Sequence, residues 1–254
     1  MSTDRNTVKA DSELLFLHPI GLDRNVWSEV VPSGARTLDF PGHGSEPSVG
    51  NVSIDRLVEH VLAHLSDPVT LVGLSLGGTV ALQVALRAPQ SVTSLVVACC
   101  VASSPNPIGQ RERANAFRKG MQHVVEGTLA RWFTKEALAT PGHAGVEYAR
   151  RRLLEDDPEV IAAYWEAMAD NVVEPNLAAI TVPTTFIAGA HDGASTVELM
   201  DRMAQLVRGS VLDVIDGPHM LPLERPAEFR AALSRHFSRC DSGSSKMPRP
   251  AGLG

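Results

Sequence analysis

Three things are scarce in this chain of 254 residues, and each scarcity excludes a class of protein. Cysteine occurs only three times, twice side by side at Cys99 and Cys100. That is no disulfide framework of a small secreted domain; the thiols read as reduced and buried, as in a cytoplasmic protein. Long hydrophobic runs are missing. The longest, residues 95–102, falls far short of the ~18 residues of a membrane span, so no membrane partner is expected, and the opening MSTDRNTVKADSE lacks the apolar core of a signal peptide. Positive charge is in deficit: 23 Lys and Arg stand against 29 Asp and Glu, for a formal net charge of −6, so nucleic acid is not an expected partner. Core material is ample. Hydrophobic residues make up 44% and charged residues 20%, the balance of a globular chain.

Short apolar runs recur at 14–17, 35–38, 69–72, 95–98, 185–188 and 211–215. Most are nearly continuous and rich in β-branched residues, as strands buried on both faces are. Between them apolar residues fall at helical spacing: Ile54, Leu57, Val58, Val61, Leu62 and Leu65; Val80, Leu82, Val84, Ala85 and Leu86; Leu199, Met203, Leu206 and Val207. Alternating strand and helix predicts an α/β fold, a mostly parallel sheet with right-handed crossovers and helices on both faces. The alternation breaks over 103–176, a charged, helix-prone stretch too long for a loop. The expected organisation is therefore a core of 1–102 and 177–240 with 103–176 as a helical cap insertion. The Ser-, Gly- and Pro-rich end, 241–254, reads as a disordered tail.

The segment Val69-Thr70-Leu71-Val72-Gly73-Leu74-Ser75-Leu76-Gly77-Gly78 runs from a buried strand through G-x-S-x-G into a helix. So sharp a turn needs small residues at Gly73 and Gly77, because side chains there would meet neighbouring backbone. It also forces Ser75 into a strained conformation that lifts its hydroxyl clear of the sheet. Ser75 is the candidate nucleophile. A serine hydroxyl is weak at neutral pH and needs a base oriented by a third group, in chain order Ser, acid, His. Asp192 in Gly-Ala-His-Asp-Gly follows the 185–188 strand, and His219 in Gly-Pro-His-Met follows the 211–215 strand. Both fall where strand ends meet loops, the rim on which ligands bind in open α/β sheets. The other acid position, after 95–98, offers Cys99, Cys100, Val101 and Ala102, none of which is read as able to orient a histidine.

The first strong strand ends in His18-Pro19-Ile20-Gly21. Proline has no N–H to give, so the backbone amides of Ile20 and Leu76 are the expected oxyanion hole. His18 is either a substrate contact or a brace of the turn. His43 and Asp39, in a Gly/Pro turn, read as loop braces, and His191 as structural. His60 and His64 lack the Glu of a zinc-protease helix and read as solvated. No metal site is expected. No phosphate-binding or dinucleotide fingerprint is present, so no cofactor is implied either.

The stretches LFLHPIG, LDFPGHG, VGLSLGG, AGAHD and GPHMLPLERP together resemble the α/β-hydrolase fold superfamily across nearly the whole chain. Within it the chain is most similar to the 3-oxoadipate enol-lactonases: GM at 120–121 and LARWFT at 129–134 look like a stretch of their cap, and AHDGAST and PHMLPLERP look like their acid and base segments. The resemblance implies hydrolysis of an enol-lactone ester in aromatic catabolism, without a cofactor. Three features depart from it. The N-terminal strand pair is absent or cut down to 7–10, Val197 stands near the place of a proline after the acid, and Pro41 replaces an arginine of the Gly-His-Gly turn.

The expected function is serine hydrolysis of a small lactone or carboxylic ester, with that small-molecule substrate as the expected partner. The same three residues could run C–C bond hydrolysis of a ring-cleavage product or cofactor-free haloperoxidase chemistry, and the fold also hosts non-catalytic ligand sensors. In the cap, Trp132 is expected to line the pocket, and Arg131 or Arg152 to meet a substrate carboxylate, since a planar guanidinium bonds a carboxylate bidentately.

Overall fold

The computed structural model describes residues 13–244. Six strands, β1 (Glu13–Leu17), β2 (Arg36–Leu38), β3 (Val69–Leu74), β4 (Val92–Ala98), β5 (Thr184–Gly189) and β6 (Val211–Ile215), form one parallel sheet in the order β2-β1-β3-β4-β5-β6. Every strand falls on an apolar run read from the sequence. One expectation needs correcting: β6 is not buried on both faces. It is the sheet's edge, and Val214 is 51% exposed there.

The strand order reverses direction between β1 and β3, so the connections leave a crevice at the carboxyl ends of these strands. Register fixes which residues share that edge. Leu17 pairs with Gly73, Leu74 with Ala98, Ala98 with Ile187 and Gly189 with Ile215. The residues that follow each strand, Ile20, Ser75, Cys99, Asp192 and His219, are therefore delivered to one rim.

Helices α1 (Ile54–Ala63) and α2 (Leu76–Arg87) lie between β2 and β4. Ser53 caps α1, its hydroxyl accepting from the Arg56 amide. The β4–β5 connection carries α3 (Pro107–Arg118), α4 (Val125–Trp132), α5 (Lys135–Ala139), α6 (Ala144–Glu155) and α7 (Pro158–Ala169). After β5 come α8 (Val197–Leu206), α9 (Leu221–Glu224) and α10 (Pro226–Ser244). Residues 241–244, assigned by composition to the tail, are the end of α10. The shortened strand expected at 7–10 lies outside the described residues. Among the described residues no helix is long and apolar enough to cross a membrane.

The helices of the β4–β5 connection lie on the rim, and polar contacts tie them there. The Tyr164 hydroxyl donates to the Pro41 carbonyl at 2.7 Å, the Thr134 hydroxyl donates to Glu224 at 2.6 Å, and the Met220 amide donates to the Trp132 carbonyl at 3.1 Å. A further tie is ionic. Arg152 of α6 meets Asp23 of the core at 3.1 Å, Glu155 at 2.9 Å and Asp156, while the Tyr148 hydroxyl donates to Asp23 at 2.7 Å. The Arg152 side chain is 13% exposed and those of Asp23 and Asp156 only 6% and 2%. Removing the cation strands two buried carboxylates, so Arg152→Met is expected to cost about 3–5 kcal/mol in a denaturant titration. An unchanged midpoint and slope would show that the cluster does not hold the two layers together.

Candidate active site

Ser75 sits at the end of β3 with φ 54° and ψ −115°, a conformation that costs about 1–3 kcal/mol. The surrounding backbone imposes it. The Ser75 amide donates to the Ala98 carbonyl at 2.9 Å while its carbonyl accepts from Thr79 at 3.0 Å, so the residue belongs to the sheet on one side and to α2 on the other. A Cβ on Gly73 would lie 2.5 Å from the Gly78 nitrogen, and one on Gly77 would collide with the carbonyls of Leu17 and His18. Both glycines are thus required by close backbone approach. Although Ser75 occupies the N-cap of α2, its hydroxyl makes no capping bond. It stays free of the helix it introduces.

That collision also shows how near the start of α2 lies to the turn after β1. The Leu76 amide is among the first N–H groups of α2, which have no intrahelical partner. In the opposing turn the Gly21 amide donates to His43 Nε2 at 3.1 Å and Pro19 has no N–H, while the Ile20 amide has no acceptor among the described residues.

The His219 loop leans on the end of β5, where a Cβ on Gly189 would lie 2.5 Å from the Pro218 carbonyl. His219 Nδ1–H donates to Asp192 Oδ2 at 2.6 Å, and both side chains are buried. Its Nε2 has no hydrogen-bond partner among the described residues, and neither has the Ser75 hydroxyl. Burial alone would push the Asp192 carboxyl up. The adjacent His219, the Ser195 hydroxyl and the Ala194 amide outweigh it and hold the group down at about 2. It is therefore a carboxylate under all ordinary conditions.

Two residues that bear on this pair escape the sequence reading. Ser195 donates its hydroxyl to Asp192 Oδ2 at 2.5 Å, and the amides of Ala194 and Ser195 donate to Oδ1 at 2.8 and 3.2 Å. The Asp-x-x-Ser spacing is the signal for such a turn. Cys99 is the other: with φ 42° it is, besides Ser75, the only non-glycine described residue at positive φ. Read as unable to orient a histidine, it nevertheless places its thiol beside Asp192. Burial and the Asp192 charge push that thiol's pKa well up. The donor atoms of Cys99, Asp192 and His219 lie within 4.8 Å of one another. Since the thiol stays protonated and Nδ1 is already bonded to the carboxylate, the trio reads as a hydrogen-bonded chain rather than a metal cage.

Other candidates find different places. His18 is fully buried, its Nδ1–H donating to the Pro19 carbonyl at 2.8 Å and its Nε2 accepting from the Phe40 amide at 2.9 Å. Neither nitrogen is left for a substrate, so His18 is a brace. Burial lowers its pKa to about 4 and keeps it neutral in that role. His43 is also buried, edge-on to Tyr164, and Asp39 accepts from the Arg24 amide at 2.7 Å. His60 is not simply solvated: its Nε2 bonds the Asp39 carbonyl at 3.0 Å. His191 bonds Asp216 at the surface. Arg152 is spent on Asp23 and Asp156, so it is not available to a substrate carboxylate. Trp132 is buried between the two walls of the site, its carbonyl bonded to Met220 and its ring Cη2 3.5 Å from where a Gly21 Cβ would stand. Arg131, beside it, is accessible and has no acidic partner among the described residues.

The profile of the alpha/beta hydrolase family matches residues 14–232. The 3-oxoadipate enol-lactonase 2 of Acinetobacter baylyi is 28% identical over 237 residues, covering 89% of this chain and 88% of that protein. A pimeloyl-[acyl-carrier protein] methyl ester esterase of Aliivibrio salmonicida is 25% identical, covering 88% and 91%. Among solved structures, a hydrolase from Pseudomonas aeruginosa superposes with a TM-score of 0.83 at 30% identity, over 90% of this chain and 91% of that one. The enol-lactonase from Burkholderia xenovorans superposes with a TM-score of 0.82 at 23% identity, over 90% and 92%, a likeness of fold.

Proposed function

The chain belongs to the alpha/beta hydrolase family, and from that premise we propose that it is a serine hydrolase of small lactones or carboxylic esters, working through an acyl-enzyme on Ser75. What carries this reading is a strained, uncapped Ser75 and, after a strand of the same sheet rim, a histidine whose Nδ1–H is held at 2.6 Å by Asp192. With that proton fixed on Nδ1, Nε2 is the basic nitrogen and is free to accept the serine proton.

In the proposed reaction Ser75 Oγ attacks the acyl carbonyl carbon as His219 Nε2 takes its proton. The amides of Ile20 and Leu76 bond the oxyanion. His219 then protonates the departing alcohol or enol oxygen, which in a lactone stays tethered to the acyl group. Next it deprotonates a water that attacks the acyl-enzyme, and the acid leaves as Ser75 recovers its proton. Asp192 stays ionised and stabilises the imidazolium throughout. We assign 103–176 as a cap over this centre, with Trp132 forming part of the pocket wall. The enol-lactonase and methyl ester esterase names of the relatives support an ester bond as the target.

A panel of 4-nitrophenyl esters, five- and six-membered lactones and a ring-cleavage dienoate tests the reaction class. Turnover of esters or lactones is expected. Turnover of the dienoate alone would replace ester cleavage by C–C bond cleavage.

A further inference from the structure

The two sides of the proposed oxyanion hole are held by different parts of the molecule. The Leu76 amide belongs to the junction of β3 and α2, which the core fixes by itself through the close backbone packing of Gly73 and Gly77. The Ile20 amide lies in the turn 18–23. The core braces the first part of that turn: His18 bonds the Pro19 carbonyl and the Phe40 amide, and the Gly21 amide donates to His43.

The rest of the turn is held by the helices of the β4–β5 connection. From α4, the Trp132 ring comes within 3.5 Å of where a Gly21 Cβ would stand, and from α6, Leu153 Cδ2 comes within 2.9 Å of the same point. From α7, Tyr164 packs edge-on against the His43 ring, with centroids 4.6 Å apart. Asp23 ends the turn. Among the described residues its hydrogen-bond and ion-pair partners beyond Val26 are Tyr148 and Arg152, both of α6.

The Tyr148 hydroxyl donates to Asp23 Oδ1 at 2.7 Å and accepts from the Asp23 amide at 3.3 Å, so one oxygen fixes both the side chain and the backbone of that residue. Asp23 Oδ1 also accepts from the Asn25 amide at 2.9 Å and caps the short 3₁₀ turn Arg24–Trp27, whose last residue is buried. Arg152 Nε stands 3.1 Å from Oδ2. Burial, and then the Asp23 charge, push the Tyr148 pKa up, so the hydroxyl keeps the proton it donates.

Resting on the reading of Ser75 as nucleophile and of Ile20 as an oxyanion donor, we propose that Tyr148 is a positioning residue of the hydrolysis. By clasping Asp23 it sets the turn 18–23 where the Ile20 amide meets the oxyanion. Such a donor works at about 2.7–3.1 Å from the developing charge, and a misplacement of about 1 Å can cost ~10²-fold. The contact forms only as the transition state forms, so its loss falls on kcat and spares KM.

The test is Tyr148→Phe in the full-length protein, which removes one oxygen and keeps the ring. With 4-nitrophenyl pentanoate, kcat is expected to fall at least tenfold while KM stays within twofold. Two competitive inhibitors separate positioning from general loosening. An alkyl trifluoromethyl ketone adds to the enzyme: Ser75 Oγ bonds its carbonyl carbon, His219 Nε2 takes the hydroxyl proton, and the ketone oxygen becomes an oxyanion. Its affinity should weaken by the same factor as kcat/KM, and that of the matching methyl ketone should not change. Arg150→Gln, which breaks an ion pair of α6 with Glu126 inside the connection, should leave kcat within twofold. Hydrogen exchange of a peptide covering 18–26 should quicken in Tyr148→Phe and not in Arg150→Gln. A kcat within twofold in Tyr148→Phe, or equal weakening of both ketones, would overturn the positioning role and leave the hydrolase reading intact. An equal fall of kcat in Arg150→Gln would overturn it too. If the unaltered protein neither hydrolysed the ester nor bound the trifluoromethyl ketone more tightly than the methyl ketone, the hydrolase reading would fail. Exchange would then decide the clasp by itself, and an unchanged rate at 18–26 would overturn it.

Discussion

Replacing Ser75 with alanine is expected to lower kcat by about six orders of magnitude, the loss seen when a triad nucleophile is removed, or about 8 kcal/mol of barrier. What survives is expected to be the ~10³–10⁴-fold advantage over water that an oxyanion hole and binding supply by themselves. Alanine removes only the hydroxyl. The φ of 54° is imposed by the hydrogen bond from the Ser75 amide to Ala98, by the carbonyl's bond to Thr79 and by the packing of Gly73 and Gly77, none of which involves that side chain. Fold and thermal midpoint should therefore change little. A Ser75→Ala enzyme that kept a tenth of its ester hydrolysis would mean that the reaction does not pass through Ser75.

The second large effect is expected from Asp192→Asn, about four orders of magnitude in kcat, or about 5 kcal/mol. The bonding around the carboxylate explains why so small a change should cost so much. Oδ1 accepts from two backbone amides, those of Ala194 and Ser195, and only an oxygen can do that. An asparagine must therefore keep its oxygen there and turn its NH₂ group to the Oδ2 position, where it meets His219 Nδ1. A donor in that place forces the imidazole proton onto Nε2, the nitrogen needed to take the proton from Ser75. The expected signature is a collapse of kcat at nearly unchanged KM, together with a moved imidazole proton resonance in NMR. Loss of less than tenfold would show that Asp192 holds the loop and not the tautomer.

Legibility in the sequence follows the physics of each element. The strands declare themselves because a parallel sheet covered on both faces demands unbroken β-branched runs, as at 69–72 and 95–98. β6 is less apolar in its surroundings than its Val-Leu-Asp-Val-Ile sequence suggests, since composition does not reveal that a strand lies at a sheet edge. The Gly73-Leu74-Ser75-Leu76-Gly77 turn is legible because its constraint is local, a collision between backbone atoms a few residues apart. Asp192 and His219 are legible only through their places after strands, since 27 residues separate them and nothing nearby in the chain requires either.

What sequence hides is the choice of partner. Arg131 and Arg152 look alike in a charged stretch, and only packing shows that one is consumed by buried Asp23 and Asp156 while the other meets no acid among the described residues. His18, just after a strand and beside the proposed oxyanion hole, has both ring nitrogens taken by backbone groups, one of them 22 residues away. Ser195 and Cys99 bear on the site only because β4 and β5 are neighbours in the sheet, which brings the end of one against the loop of the other.

Whether Ser75 is an activated nucleophile is decided by its reaction with a fluorophosphonate probe. The reagent phosphonylates a serine hydroxyl that has a base to take its proton, and peptide mass spectrometry locates the adduct. One adduct per chain is expected, on Ser75, slowed severely in Asp192→Asn and absent in Ser75→Ala. No adduct on the folded protein, or an adduct on another residue, would contradict it.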